Sequence, residues 1–332
     1  MKWDTDRSFW KSAFPTVGMV HEADRTHPSY VPGLAMIFVH GILATPQSTW
    51  RSLPKRCLEY ADVDIDVLSF AYPSFPWQRS SIESAASRLR ELVRSTREAP
   101  FIGVTPGNSS RGYSRIIYVA HSNGGLVLKR HMLDALHGPW KDRQELARAS
   151  DLVNFAVPHS GGTFPLSCLL PAALGCEVFF GLLGVLDWRS NVFNLGSDKI
   201  YRQIRWRSSY LCGLEDEFVA LQEQYARLCR PFPQSHDFAA RDDLAVLQPE
   251  KLEGLGADEA GFRRLNRLRR RQLVLRGTHI SIKIPLLADD TVVRELAAIV
   301  RHRATGTSNA SIEELMKKSI DRDEGHSIGE LL

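Results

Sequence analysis

The stretch "YVAHSNGGLVLKR", residues 118–130, decides the fold, because an apolar run ends at one serine and helix-forming residues follow at once. A strand that passes into a helix through a single residue has to turn sharply there. That residue takes strained backbone angles, and its side chain is turned clear of the sheet. Ala120 and Gly124, two residues before and after Ser122, are small enough to let strand and helix approach. The stretch therefore predicts a strand, a nucleophile elbow at Ser122 and a helix. The alternative is that Ser122 only caps the helix.

Two backbone amides near this serine are candidate donors to an oxyanion. The amide of Asn123 opens the helix, where the free N–H groups and the helix dipole both favour negative charge. In "MIFVHGILATPQSTW" (36–50), His40 and Gly41 end an apolar run, and the glycine allows the next amide to turn inward. We predict an oxyanion hole formed by the N–H groups of Ile42 and Asn123, and we interpret His40 as a buried imidazole that orders nearby loops.

A serine hydroxyl with an ordinary pKa is a weak nucleophile, so such an elbow needs a general base and an acid that orients it. The chain order serine, acid, histidine predicts the base on a loop after a late strand, which singles out His279 in "QLVLRGTHISIKIP". The acid belongs after the preceding strand, in "PQSHDFAARDDLAVLQPEKL" (233–252). We choose Asp243 there, and the competing carboxylates are Asp237, Asp242 and Glu250.

The rest of the chain alternates between β-like apolar runs and helical patterns, which is typical of a mainly parallel α/β sheet. The predicted strands are residues 34–40, 64–72, 114–121, 151–158 and 271–277, and the clearest predicted helices are 80–98 and 123–138. We divide the chain into an N-terminal arm (1–33), one α/β domain (34–306) with an apolar helical insertion at about 159–235, and a polar tail (307–332).

Composition narrows the class of protein. The 42 basic residues nearly cancel the 38 acidic residues, and a formal net charge of +4 is too small to indicate nucleic-acid binding. Five scattered cysteines without a CxxC spacing favour neither a disulfide framework nor a zinc site. No signal peptide is recognised at the N-terminus, so we expect a cytoplasmic protein, with membrane association left open.

One apolar segment, Phe164 to Trp188, has the length of a membrane span. Pro165, Pro171 and Glu177 interrupt it, which favours a helical insertion over a spanning helix. Such an insertion could be a lid over an acyl pocket, a cap that belongs to the core, or an interfacial surface. An arginine-rich run at 262–272 is either a solvated face or a contact for anionic lipid headgroups.

Four motifs in this order resemble the lipase-type α/β-hydrolases: "VHGILATPQSTW", "VAHSNGGLVLK", "NFAVPHSGG" and "GTHISIKIP". The resemblance is greatest to the serine-active-site-containing proteins and the related GPI inositol-deacylase and lipase-like serine esterase group. It implies an α/β-hydrolase fold and an ester hydrolase or acyl-transfer enzyme for lipid-like substrates, with Ser122 as nucleophile and His279 as base. Two departures from the family pattern are Ala120 at the first elbow glycine and an acid-bearing segment without a clean match.

Together these patterns predict a serine hydrolase that cleaves carboxylic esters, of lipids or long acyl chains, through a Ser-His-Asp triad and an acyl-enzyme. Such chemistry requires no metal and no organic cofactor. The expected partner is a small-molecule or lipid ester, with peripheral membrane contact left open and no nucleic acid. Two other classes stay open: a catalytically silent hydrolase-fold module that binds a partner, and a membrane-peripheral lipid-binding protein.

Overall fold

A computed structural model of the chain describes residues 17–42, 44–74, 80–98, 113–138, 149–159, 199–204, 208–228, 230, 232–240, 272–275, 282 and 291–306. Within this part of the chain, seven strands form one sheet: β1 (Val17–His21), β2 (Tyr30–Val39), β3 (Asp64–Phe70), β4 (Arg115–His121), β5 (Ala149–Phe155), β6 (Gln234–Ala240) and β7 (Gln272–Leu275). The described helices are α1 (Pro46–Trp50), α2 (Leu53–Ala61), α3 (Ile82–Glu98), α4 (Asn123–His137), α5 (Lys199–Gln203), α6 (Ser209–Arg227) and α7 (Thr291–Thr305).

The strand order across the sheet is β1-β3-β2-β4-β5-β6-β7. Strands β2 to β7 run parallel to their neighbours, and only the edge strand β1 pairs antiparallel, with β3, among the described strands. Helices cover both faces, as a parallel sheet requires. The predicted fold class, an α/β-hydrolase fold with a mainly parallel sheet flanked by helices, is therefore confirmed.

Each face of the sheet carries its own apolar core, because side chains alternate along every strand. On β4, Ile116, Tyr118 and Ala120 face the layer formed by α3, α4 and α6. Ile117 and Val119 face the opposite layer, formed by α1, α2 and α7. All five of these side chains are fully buried, so β4 is the central strand that positions the elbow.

The structure adds two strands that the sequence did not predict. Strand β1 lies inside the segment 1–33 that we treated as an arm. Strand β6 has the sequence "QSHDFAA", in which two buried polar residues replace the expected apolar ones. They are tolerated because each finds a partner on β5: His236 Nε2 lies 2.9 Å from Asp151 Oδ1, and Asp237 Oδ1 accepts from Asn154 Nδ2 at 2.9 Å.

Several predicted features fall outside the described residues, namely most of the apolar insertion including 164–188, the arginine-rich run 262–272 except for Gln272, and the tail 307–332. The described part of the region 159–235 is mainly helical, in α5 and α6. Among the helices that the structure describes, none combines the length and the apolar content needed to cross a membrane.

Candidate active site

Ser122 is the single residue between the end of β4 and the start of α4. Its backbone has φ 53° and ψ −130°, a conformation that side-chain-bearing residues rarely adopt. Its side chain makes no capping hydrogen bond to the helix, and its own amide donates to Phe155 O at the end of β5, at 2.8 Å. The serine is therefore held as a strained elbow and does not act as an ordinary helix cap.

Gly124 and Gly125, which follow Ser122, have to be glycine because atoms of neighbouring segments approach them closely. A Cβ atom at Gly124 would lie 2.6 Å from the carbonyl oxygens of both Val39 and His40, at the end of β2. A Cβ atom at Gly125 would lie 2.3 Å from Val157 Cγ2, in the segment that follows β5. The first turn of α4 is therefore wedged between the ends of the two strands beside β4.

The turn after β2 is fixed by the His40 imidazole. Its Nδ1 lies 2.7 Å from Gly41 O, and its Nε2 accepts from the Tyr72 amide at 3.2 Å. Because a carbonyl can only accept, Nδ1 carries the proton and the ring is neutral. The carbonyl and the N–H of a planar trans peptide point in opposite directions, so holding Gly41 O also fixes the direction of the Ile42 N–H.

Tyr72 connects this turn to the helix that begins at the elbow. Its hydroxyl donates to His40 O at 2.9 Å and accepts from Asn123 Nδ2 at 3.1 Å. The rings of Tyr72 and His40 are stacked, with centroids 4.5 Å apart. Burial raises the pKa of Tyr72, so the hydroxyl stays protonated and keeps its donor role. One buried side chain, that of Tyr72, thus joins His40, which fixes the turn before Ile42, to Asn123 at the start of α4.

We expect Tyr72→Phe to lower kcat for ester hydrolysis about tenfold with KM unchanged, because the amides it braces are then less well preorganised. Steady-state kinetics on a short-chain ester would measure this. The control is Tyr113→Phe. It removes the hydrogen bond from the Tyr113 hydroxyl to Asp66 Oδ2, and Tyr113 lies before the start of β4, whereas Ser122 lies after its end. Equal kcat values for the Tyr72 variant and wild type would contradict the bracing role.

The predicted base and acid, His279 and Asp243, lie outside the described residues, as do Asp242 and Glu250. Their places in the chain follow the ends of described strands: β6 ends at Ala240 and β7 ends at Leu275. Parallel strands have their carboxyl ends at one edge of the sheet, and β4 ends there at the elbow. The order serine, acid, histidine therefore matches the order β4, β6, β7 at that edge.

Asp237, one of the competing carboxylates, lies within the described residues, and two polar side chains contact it. Its Oδ1 lies 3.3 Å from His159 Nε2 and accepts from Asn154. Burial alone raises the pKa of Asp237, but the hydrogen bond from His159, the nearby Lys129 charge and the hydrogen bond from Asn154 together outweigh burial, so the net pKa is lowered. Asp237 sits three residues before the end of β6 and therefore lies inside the strand, where Asn154 and His159 contact it.

A buried ionic cluster beside α4 was not found by sequence reasoning. Lys129 Nζ lies 2.5 and 2.7 Å from the two carboxylate oxygens of Glu215 on α6, and 2.6 Å from His159 Nδ1. We refer to Lys129, His159, Glu215 and Asp237 as the buried cluster, because all four side chains are buried. Lys129 and Glu215 are 86 residues apart in sequence, so no local pattern pairs them.

The cluster keeps its carboxylates ionised. Burial alone raises the pKa of Glu215, and the Lys129 ammonium more than reverses this, so the net pKa is lowered. A carboxyl with a lowered folded-state pKa stabilises the fold above its unfolded pKa, and this contribution is lost as pH falls through the folded value.

We expect Lys129→Met to lower the free energy of unfolding by about 3 to 5 kcal/mol near pH 8, because it leaves a buried carboxylate without its cation. Burial then raises the pKa of Glu215, so the difference from wild type should shrink as pH falls from 8 to 5. Urea titrations at several pH values measure both effects. Lys55→Met is the control: Lys55 is half-exposed and pairs with Glu59 at 3.8 Å, so little change is expected. If the difference in unfolding free energy between Lys129→Met and wild type did not change with pH, the ionised Lys129–Glu215 pair would be contradicted.

Comparisons with known proteins give distant likenesses. No protein-family model matches the chain. The chain is 28% identical over 202 residues to "Protein SERAC1" of Danio rerio, a match that covers 50% of this chain and 29% of that protein. The chain thus spans less than a third of the length of this relative.

Solved structures with a similar fold include α/β-hydrolases. The peroxisomal alpha-beta-hydrolase of Saccharomyces cerevisiae is 11% identical, with a TM-score of 0.47 and coverage of 95% of this chain and 91% of that one. The monoacylglycerol lipase of Paleococcus ferrophilus is 12% identical, with a TM-score of 0.42 and coverage of 89% and 99%. These likenesses are remote, and the fold assignment rests on the strand order and the strained serine.

Proposed function

We propose that this chain is a serine hydrolase that cleaves carboxylic esters with Ser122 as nucleophile. The observation that carries the proposal is the positive φ of Ser122 between a buried parallel strand and a helix. The turn after β2 lies directly beside it, since a Cβ atom at Gly41 would be 2.9 Å from Ser122 Cβ. Strain of this kind persists at a site where the surrounding structure holds a reactive side chain in place.

In the proposed mechanism, His279 takes the proton of the Ser122 hydroxyl as its oxygen attacks the ester carbonyl. Asp243 holds the imidazole in the required tautomer. The N–H groups of Ile42 and Asn123 stabilise the oxyanion, and loss of one such donor typically raises the barrier by about 3 kcal/mol. The alcohol leaves with a proton from His279, and water then hydrolyses the acyl-enzyme.

The arrangement of histidines supports this choice of base. Three buried imidazoles are each paired with a carboxylate: His21 with Asp64, His159 with Asp237, and His236 with Asp151. Both ring nitrogens of His40 are engaged with backbone groups. These rings have structural partners, whereas His279 comes four residues after β7 in the chain, and β7 ends at the same edge of the sheet as β4.

The proposed substrate is a lipid or long-chain acyl ester. The apolar segment 164–187 supports this, because it follows β5 in the chain and could line an acyl pocket as a lid. Peripheral contact with a membrane, in a cytoplasmic setting, belongs to the same proposal. The mechanism uses side chains, two backbone N–H groups and water, and assigns no role to a cofactor.

The test is labelling with a fluorophosphonate probe, followed by mass spectrometry of the modified peptide. The expected result is one phosphonate adduct on Ser122 that His279→Ala prevents. A panel of p-nitrophenyl esters of increasing chain length then defines acyl preference. Absence of labelling, or an adduct on another residue, would overturn the proposed function in favour of a silent binding module.

A further inference from the structure

We propose that His159 is a positioning residue for Ser122, acting through the segment that follows β5. This inference rests on the proposed function, since positioning matters to the reaction only if Ser122 is the nucleophile. His159 takes no part in the proposed proton transfer between Ser122 and His279. It ties the segment 156–159, which we call the clamp segment, to the nucleophile helix on one side and to β6 on the other.

The clamp segment is bonded to the elbow through the backbone. The Ser122 amide donates to Phe155 O at 2.8 Å, directly before the clamp segment begins. The next amide, that of Ala156, donates to Phe238 O on β6, also at 2.8 Å. Ala156 has φ 49°, so the chain turns away sharply at this point. The position of the Ser122 backbone therefore depends on where this turn is held.

Side-chain packing connects the same segment to the first turn of α4. Val157 is buried and lies so close to Gly125 that a Cβ atom there would overlap it. Movement of the clamp segment away from α4 would open this contact, and movement toward α4 is blocked by the close approach of Val157 to Gly125. The helix that begins one residue after Ser122 is thus packed against the segment that bonds the Ser122 amide.

His159 fixes the far end of the clamp segment. Its Nδ1 lies 2.6 Å from Lys129 Nζ on α4, and its Nε2 lies 3.3 Å from Asp237 Oδ1 on β6. An ammonium can only donate, so Nδ1 accepts and Nε2 carries the proton toward Asp237. Glu215 lies farther from Nδ1, at 3.4 Å, and holds Lys129 in place instead.

The imidazole thus bridges helix α4, through Lys129, and strand β6, through Asp237. Its own amide donates to Val157 O at 2.9 Å, which keeps the clamp segment tightly turned. Removing the ring would free the segment to shift, and with it the acceptor of the Ser122 amide. Displacing a reacting group by about 1 Å can lower a rate about a hundredfold. This figure sets the upper end of the loss in rate expected when the His159 ring is removed.

The experiment compares three variants of the full chain. His159→Leu removes both polar contacts, and His159→Gln keeps one donor and one acceptor and should partly restore function. His236→Leu is the matched control, because it also removes a buried histidine that pairs with a carboxylate, that of Asp151 near the start of β5, at 2.9 Å. Circular dichroism sets conditions under which all three remain folded.

We expect His159→Leu to lower kcat and the fluorophosphonate labelling rate about 10- to 100-fold with KM unchanged. His159→Gln should lose less, and His236→Leu should keep both rates. Hydrogen exchange supplies a readout that needs no activity: the peptide containing the Ser122 amide should exchange faster in His159→Leu only.

Unchanged exchange and unchanged labelling in His159→Leu would overturn the inference. So would an equal loss in His236→Leu, because both effects would then follow from general destabilisation. Absence of labelling in wild-type protein would overturn the proposed function, and the exchange measurement would still decide whether His159 holds the elbow.

Discussion

We expect the Ser122→Gly variant to be inactive and, at the same time, more stable than the wild-type protein. Ser122 has φ 53°, in a region that glycine adopts without steric strain. A residue with a side chain held there costs about 1 to 3 kcal/mol, part of which is offset by the greater chain entropy of unfolded glycine. We therefore expect a net gain of about 1 kcal/mol in the free energy of unfolding.

The loss of activity in Ser122→Gly should be a far larger effect than its gain in stability. Removal of the nucleophile from a serine triad typically lowers kcat by about 10⁶-fold. Hydrolysis of a short p-nitrophenyl ester and fluorophosphonate labelling measure this loss, and urea denaturation measures the gain in stability. The stability gain is the result that a surface serine would not produce.

Two further variants separate strain from chemistry. Ser122→Ala should be equally inactive without the gain in stability, because its Cβ atom keeps the steric strain. Ser150→Ala removes the hydrogen bond from the Ser150 hydroxyl to Ile116 O, near the start of β4. This variant should leave the rates of hydrolysis and labelling unchanged. A Ser122→Gly variant that is less stable than Ser122→Ala would contradict the role assigned to strain.

A large loss of stability is expected from Gly124→Ala. The added methyl group would lie 2.6 Å from the carbonyl oxygens of Val39, the last residue of β2, and of His40, the residue after it, and both are backbone atoms. Relief requires separation of α4 from β2, which also moves the elbow and the Ile42 turn. We expect a loss of about 3 kcal/mol in the free energy of unfolding, at the upper end for an overpacked core.

Gly213→Ala is the matched control for this substitution. Gly213 lies inside α6, and a Cβ atom there meets nothing within 4 Å. Alanine in an open helical position should stabilise by about 0.5 to 1 kcal/mol. Denaturation of the two variants side by side should give shifts of opposite sign. A Gly124→Ala variant that is as stable and as active as wild type would refute the close approach at the elbow.

The sequence predicted the elements whose signals are local. The apolar run of β4, the serine and the glycine pair that follows are consecutive, so one short stretch specifies strand, turn and helix. The candidate oxyanion residue Asn123 belongs to the same stretch. Strand β6 was missed for the opposite reason, since its buried His236 and Asp237 depend on partners that lie on β5.

The sequence by itself determined the parallel α/β architecture and the serine at its turn, because chain-local hydrophobic patterning and small residues suffice to specify them. Only the tertiary structure decided which buried polar groups meet. The Tyr72 brace on His40 and the Lys129 pair with Glu215 join residues 32 and 86 positions apart. A buried polar group must be paired, but its partner is selected by how helices and strands pack, and that selection is not encoded in any single stretch of sequence.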